Sequence, residues 1–232
     1  MKRRFNNPAR LMLEIFVFAL ICGTGSAFAA CWAGSDIGGG QCRDFLTSGT
    51  SWSVPNDWND SNNRIETIGG GGESGSELDG GGAGGGGGYS STENINLPEG
   101  TSVTYAIGSG GVAGTPGNST NGGNTYFCNS TSNCASLAGT AVVVGAEGGK
   151  TISSASIGGA GGAAANGKAV GDNPLKFSGG KGGNGGPSNN DGGGGGGGAG
   201  GPDNDGTGAT GRGQAVTAMT TLLPEEAGQE ET

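Results

Sequence analysis

Apolar and polar positions alternate along this chain in short runs that stop at Pro, Asn, Asp or Gly. Thr50-Ser-Trp-Ser-Val54 alternates and ends at Pro55-Asn-Asp, the pattern of a strand closed by a turn. Arg64-Ile-Glu-Thr-Ile68 predicts a second strand, with Ile65 and Thr67 sharing one face and Ile68 breaking to the other, directly before Gly69-Gly70-Gly71-Gly72. Ile95-Asn-Leu97 meets a Pro98-Glu-Gly100 turn, and Thr101 to Ile107 resumes the alternation. In that run Val103, Tyr105 and Ile107 point one way and Ser102, Thr104 and Ala106 the other, the period-2 signature of a half-buried strand. Thr125-Tyr-Phe127 and Ala141-Val-Val-Val144 are shorter candidates. Beyond the N-terminal leader no period of 3.6 is sustained, and each Gly inside a helix costs about 1 kcal/mol relative to Ala. The predicted class is all-β.

Between these strands lie glycine tracts, over 69–88, 108–123, 158–167 and 179–201. Glycine supplies 58 of 232 residues, while hydrophobic residues make up 31% and charged ones 13%, so little side-chain material is left for an aliphatic core. Free glycine tracts are flexible linkers. These carry an internal period of three: Gly179-Gly-Lys-Gly-Gly-Asn-Gly-Gly-Pro187, and Gly158-Gly-Ala-Gly-Gly-Ala163 in the same phase. Three residues per turn is the period of a polyproline-II helix, in which the two glycines of each triplet form bare faces and Lys181, Asn184 and Pro187 stack along the third edge. Bare faces allow backbones to pair side by side, as buried N–H and C=O groups require. Only 8 Pro and repeated breaks of phase exclude collagen.

The first residues, Met1-Lys-Arg-Arg4, an apolar run from Leu11 to Cys22 and the ending Ala27-Phe-Ala-Ala-Cys31 follow the order of a secretory signal peptide, placed over 1–29. The apolar run is too short for a stable transmembrane anchor. Cleavage leaves Cys31, Cys42, Cys128 and Cys134, an even set suited to an oxidising compartment; lipidation of Cys31 is an alternative that would strand three. Of three connectivities, Cys31–Cys42 with Cys128–Cys134 closes the shortest loops. Losing Lys2, Arg3, Arg4, Arg10 and Glu14 takes 11 basic and 20 acidic residues to 7 and 19, a net charge of −12 with scattered cations, which excludes nucleic acid as a partner. The expected location is secreted, periplasmic or cell-surface. The remaining chain divides into a disulfide-containing segment, 30–48, a glycine-rich domain, 49–213, and an acidic tail, 214–232, whose composition suits disorder.

The chain has no His, which removes His-dependent acid–base and nucleophilic chemistry and most zinc sites. Val142-Val-Val-Gly-Ala-Glu-Gly-Gly-Lys-Thr151 has the look of a phosphate loop, but Gly145 stands one residue late and no helix follows. Asp203-Asn-Asp-Gly-Thr-Gly, beside Asp191, has calcium-loop-like oxygens without the closing Glu, and reads as a turn. Asn118 and Asn129 open glycosylation sequons. No catalytic residue, metal site or cofactor is expected. Trp32, Trp52 and Trp58 lie in the least glycine-rich part. Trp52, Trp58, Tyr89, Tyr105 and Tyr126 serve either as a sugar-stacking platform or as the core itself, each Trp burying about 150–250 Å² in the latter case.

Ser48-Gly-Thr-Ser-Trp-Ser-Val-Pro-Asn-Asp-Trp58, Ser61-Asn-Asn-Arg-Ile-Glu-Thr-Ile-Gly-Gly-Gly-Gly72, the strand after Pro98 and the Gly180-Lys-Gly-Gly-Asn-Gly-Gly segment together resemble the glycine-rich domain of bacteriophage tail and fibre proteins and of related bacterial secreted or surface proteins. The resemblance runs from Gly49 to Gly213. It implies a small β-sandwich whose loops are drawn out into packed polyglycine-II helices, and structural or adhesive modules without catalytic residues. The signal peptide and the acidic end, Leu222 to Thr232, depart from it. The resulting expectation is a non-enzymatic secreted or surface module that binds cell-surface glycans or proteins, with self-association a further option. A disordered glycine-rich matrix or coat protein is the alternative, and an ice- or lattice-binding surface a third reading.

Overall fold

The structure is a computed structural model that describes residue 31 and residues 34–74, 81–112, 120–152, 157–186 and 193–209. The expected leader, the acidic tail, Trp32, Asn118, Pro187 and Asp191 lie outside the described residues. The chain forms two compact units that divide between Phe45 and Leu46.

The first unit holds a hairpin of β1 (Ser35–Gly38) and β2 (Gln41–Arg43). Its turn needs glycine: Gly38, Gly39 and Gly40 have φ of +87°, +64° and +74°, a region that side chains with a Cβ rarely enter. The Asp36 carboxylate accepts the Gly38 N–H at 2.7 Å, and a Cys31–Cys42 disulfide ties β2 to the chain before β1.

In the second unit two antiparallel sheets face one another. One has the order β10 (Asp172–Phe177), β5 (Tyr89–Glu93), β4 (Arg64–Ile68). The other runs β3 (Ser51–Ser53), β6 (Ser102–Ala106), β7 (Thr125–Cys128), β8 (Val142–Ala146), β9 (Lys168–Ala169). β4 and β5 lie against β8. The fold is all-β; the only helical turn among the described residues is a 3₁₀ turn at Ala164–Asn166.

The alternating runs found their places. β3, β4, β6, β7 and β8 occupy the predicted segments, and Val103 and Tyr105 face inward. Ile107 does not: β6 ends at Ala106, and Ile107 is 39% exposed where the chain leaves the sheet for Gly108. Ile95 and Leu97 are buried but sit outside any strand, because Asn63 and Asp60 side chains, not a neighbouring strand, bond their backbone N–H groups. The core joins Val54, Ile95, Leu97, Val103, Tyr105, Phe127, Val143 and Val144, with Leu46, Trp52, Trp58 and Ile65 packed round it. A smaller cluster forms where the Cys128–Cys134 disulfide folds its loop over Ala141 and Val142.

From one end of the sandwich the strands run on as glycine segments. Residues 69–74 continue β4, 81–88 lead into β5, 108–112 continue β6, 120–124 lead into β7, 147–152 continue β8 and 178–186 continue β10; 157–163, 193–201 and 205–209 join them. Segment 81–88 is the axis, buried from Gly82 onward. A β-strand has two bonded neighbours, but this segment has five among the described residues. Its Ala83 and Gly86 N–H groups donate to Gly183 and Gly180, and those of Gly85 and Gly88 to Lys150 and Glu147. Its carbonyls at Gly81, Gly84 and Gly87 accept from Gly194, Gly197 and Gly200; those at Ala83 and Gly86 from Gly159 and Gly162; those at Gly85 and Gly88 from Gly72 and Gly69. All these bonds are 2.8 to 3.1 Å long, and every partner recurs at an interval of three residues.

That closeness is what glycine provides. A Cβ on Gly86 would stand 2.0 Å from the Gly198 carbonyl oxygen, one on Gly85 2.0 Å from that of Ala160, and one on Gly87 1.9 Å from that of Gly69. No rotamer relieves a backbone clash of that size, so the pairing distance dictates the residue type.

Candidate functional site

Where the glycine segments meet solvent, exposure repeats with the same period. Lys181 and Asn184 are exposed while Gly182 and Gly183 between them are buried, as the triplet pattern predicts. Ile157 and Ala160 are exposed across buried Gly158 and Gly159; Asn121 and Asn124 flank the buried Gly122. The outer surface therefore carries side chains in rows, one residue in three.

The asparagines in those rows have a definite task. Asn124 Oδ1 accepts the Gly148 N–H at 3.0 Å, and Asn121 Oδ1 the Thr151 N–H at 3.0 Å, a ladder with a three-residue step on both sides. Asn184 Oδ1 accepts the Gly158 N–H at 3.1 Å. Each amide oxygen stands in for the backbone carbonyl that a further segment would supply. The sequence signal was the N-G-G-N spacing, and its meaning depends on the neighbouring segment, which sequence periodicity does not identify.

Glu147 sits at the junction of β8 and its glycine segment. Its carboxylate holds Lys150 Nζ at 2.6 Å, the Ala163 N–H at 2.8 Å and Asn166 Nδ2 at 3.0 Å. Partial burial pushes this carboxyl upward, but the hydrogen bonds from Lys150, Ala163 and Asn166 and the Lys150 charge outweigh it and hold it below the usual glutamate range. Beside it lies an open pocket of about 450 Å³, edged by Asn124, Leu137, Asn166 and Lys168. The Lys168 ammonium is already committed to the Gly139 carbonyl at 2.7 Å. In the supposed phosphate loop, Gly148, Gly149, Lys150 and Thr151 all donate their N–H groups to Asn124, Gly70, Ala160 and Asn121, so none is left to cradle a phosphate.

The aromatic candidates separate into two groups. Trp52 and Trp58 meet edge to face at 5.6 Å and 75°, Trp52 also meets Phe127 at 5.8 Å, and both pack against the main core. Trp58 Nε1 donates to the Ile95 carbonyl at 3.1 Å, the partner a half-buried indole needs. Tyr105 is buried, donating to the Ser48 carbonyl at 2.5 Å. Tyr126 packs with the disulfide cluster of Cys128 and Cys134. None of these forms an open stacking platform.

Tyr89 lies apart, on the other face of the β10–β5–β4 sheet. Its hydroxyl donates to Glu66 and accepts from Arg64 Nη2 at 3.1 Å, and its ring lies 6.3 Å from that of Phe177. Burial, then the bond to Glu66, pushes the phenol above its ordinary value against the opposing Ser91 and Arg64 contacts. The sequence pointed to Tyr89 but not to Arg64 and Glu66, which β4 presents from the next strand opposite Glu93 and Ser91.

The oxygen-rich Asp203-Asn-Asp run forms a turn: the Asp205 carboxylate accepts the Ser178 N–H at 2.6 Å, and Gly201 N–H meets the Asn204 carbonyl. Among the described residues no group of three acidic, His or Cys side chains could hold a metal ion. No helix among them is long and apolar enough to cross a membrane. Both disulfides pair the cysteines as the short-loop connectivity predicts, with Cα–Cα distances of 5.6 and 6.1 Å.

A family described as a glycine-rich domain matches residues 46–230. The chain belongs to this family. The match begins at Leu46, where the second compact unit begins, so the glycine-rich domain and that unit share their N-terminal boundary. No curated protein and no solved structure matches the chain.

Proposed function

We propose that this glycine-rich domain is a non-enzymatic, exported adhesive or structural module, related to the glycine-rich domains of phage tail fibres and bacterial surface proteins, whose glycine segments are polyglycine-II helices. The observation that carries the reading is the axial segment 81–88, bonded to five neighbours with a three-residue period. Strands cannot make that pattern; helices of three residues per turn can. Such a bundle is a rigid stalk-like support that ends in loops, and it displays rows of Asn and Lys able to hydrogen-bond the hydroxyls of surface glycans. Two disulfides and the leader-like first residues support an exported, oxidising setting.

The test is binding of the oxidised chain to a glycan array and to intact cells. Saturable binding that Lys181→Ala with Asn184→Ala weakens by tenfold or more supports adhesion through the rows. A folded chain that binds neither glycans nor cells overturns the adhesive reading and leaves the structural one. Export is tested separately: mass spectrometry of the secreted chain is expected to place its first residue at Ala30 or Cys31, and an uncleaved Met1 overturns it.

A further inference from the structure

The neighbours of the axial segment form a ring. Segment 69–74 bonds to 147–152 through Gly149 N–H and the Gly70 carbonyl, 147–152 to 157–163 through Lys150 and Ala160, 157–163 to 178–186 through Gly179 and Gly162, and 178–186 to 193–201 through Gly180 and Gly198. Among the described residues no bond closes the ring between 193–201 and 69–74.

Round this ring the direction of bonding to the axis alternates. Segment 69–74 donates to it, 147–152 accepts, 157–163 donates, 178–186 accepts and 193–201 donates. A chain with three residues per turn points three N–H and three C=O groups outward in alternation, so six positions surround it and the sixth must accept. The axial N–H groups of the matching phase are those of Gly84 and Gly87. Both residues are buried, and neither N–H has an acceptor among the described residues. Buried backbone donors without a partner are rare, because each loses its hydration for nothing in return.

We propose that the gap between 69–74 and 193–201 is a docking groove for an extended Gly-Gly-X strand of a partner polypeptide, which supplies carbonyls to Gly84 and Gly87. The occupant's chemistry follows from the five positions already filled. It must present carbonyls three residues apart, about 9.3 Å at the rise of this helix. It must be glycine where it faces the axis, since in the filled accepting positions a Cβ on Gly149, Gly179 or Gly182 would stand 2.0 Å from an axial carbonyl oxygen. Its own N–H groups meet the Gly69 and Gly72 carbonyls, which accept no N–H among the described residues. The rim is open: a Cβ on Gly71 comes no nearer than 3.9 Å to the axis, at the Gly85 carbonyl, and one on Gly196 meets nothing within 4 Å. The inference stands on the bonding pattern and not on the adhesive reading.

The test is amide hydrogen exchange, residue by residue, on the ¹⁵N-labelled oxidised full chain, with the nonapeptide (Gly-Gly-Asn)₃ as probe. In the dilute free chain Gly84 and Gly87 are expected to exchange at least tenfold faster than Gly85 and Gly88, which have acceptors. Saturating peptide is expected to slow Gly84 and Gly87 by tenfold or more, (Ala-Ala-Asn)₃ to leave them unchanged, and Gly71→Leu or Gly196→Leu to abolish the peptide's effect with thermal stability kept. Gly84 and Gly87 as protected as Gly85 in the dilute free chain would mean that the chain fills its own groove, and would overturn the proposal. So would an absence of any peptide effect. Protection that grows with chain concentration alone would make a second copy the occupant and overturn the assignment to a separate partner.

Discussion

At the scale of single residues, the same amino acid plays opposite parts according to what stands a few ångströms from its Cα. Gly86 faces the Gly198 carbonyl oxygen, 2.0 Å from where a Cβ would be, whereas nothing lies within 4 Å of one on Gly196. Gly86→Ala must push two backbones apart in the middle of the bundle and is expected to cost about 3 kcal/mol or more. Gly196→Ala only narrows the unfolded ensemble, for a gain of about 0.5 kcal/mol. Denaturant titration of the two variants checks this, and equal effects would sink the close-approach argument. Glu147 gives a second residue-scale expectation. Its folded-state carboxyl is held below the ordinary range, so the stability it contributes is present above that range and is lost as pH falls through the lowered value. Glu147→Gln is expected to cost about 1–3 kcal/mol at neutral pH and to flatten the acid limb of the stability–pH curve. An unchanged acid limb in that variant would mean that other carboxylates set it.

At the scale of elements, legibility followed side-chain alternation. β3, β4 and β6 each expose one face and bury the other, so polar and apolar residues alternate in the sequence, and the strands could be read. β5 could not. Tyr-Ser-Ser-Thr-Glu lies in the middle of its sheet with Tyr89 to Thr92 buried, and small hydroxyl side chains fill both its faces, so no alternation marks it. β10, Asp-Asn-Pro-Leu-Lys-Phe, is an exposed edge strand with a Pro at a position where no ladder N–H is needed, and its sequence reads as a turn. The Trp pair illustrates the same limit from the other side. Composition allowed Trp52 and Trp58 to be platform or core, and it is the pairing of β3 with β6, seating Trp52 opposite Val103, that packs Trp52 half-buried against the core. Trp52→Ala is accordingly expected to cost about 3 kcal/mol or more in thermal or chemical unfolding. Unchanged stability would return Trp52 to the surface.

At the scale of the whole domain, two kinds of cohesion meet end to end. The sandwich is held by a small aliphatic and aromatic core, whereas the glycine segments bury almost nothing but amide groups and methylenes, and the axial one pairs with five neighbours among the described residues. The period-three repeat in the sequence announced that such pairing was available, but which segment lies beside which depends on the strand order, set far away in the sandwich. Ordering so much glycine is costly in entropy, about 1–2 kcal/mol per residue for the backbone and most for Gly, and the offset comes from hydrogen bonds and close dispersion contacts more than from hydrocarbon removed from water. That balance has a calorimetric signature. Exposing apolar surface raises the heat capacity by about 0.45 cal/K/mol per Å², while exposing polar surface lowers it by about 0.26. A domain whose buried surface is weighted toward peptide groups should therefore unfold with a heat-capacity change below the usual ~12–15 cal/mol/K per residue, and its stability curve should be flatter and fall away less steeply on cooling. Scanning calorimetry of the oxidised chain measures this directly. A value at or above the usual range would mean that hydrocarbon burial dominates after all, and that the glycine bundle is carried by the sandwich instead of contributing cohesion of its own.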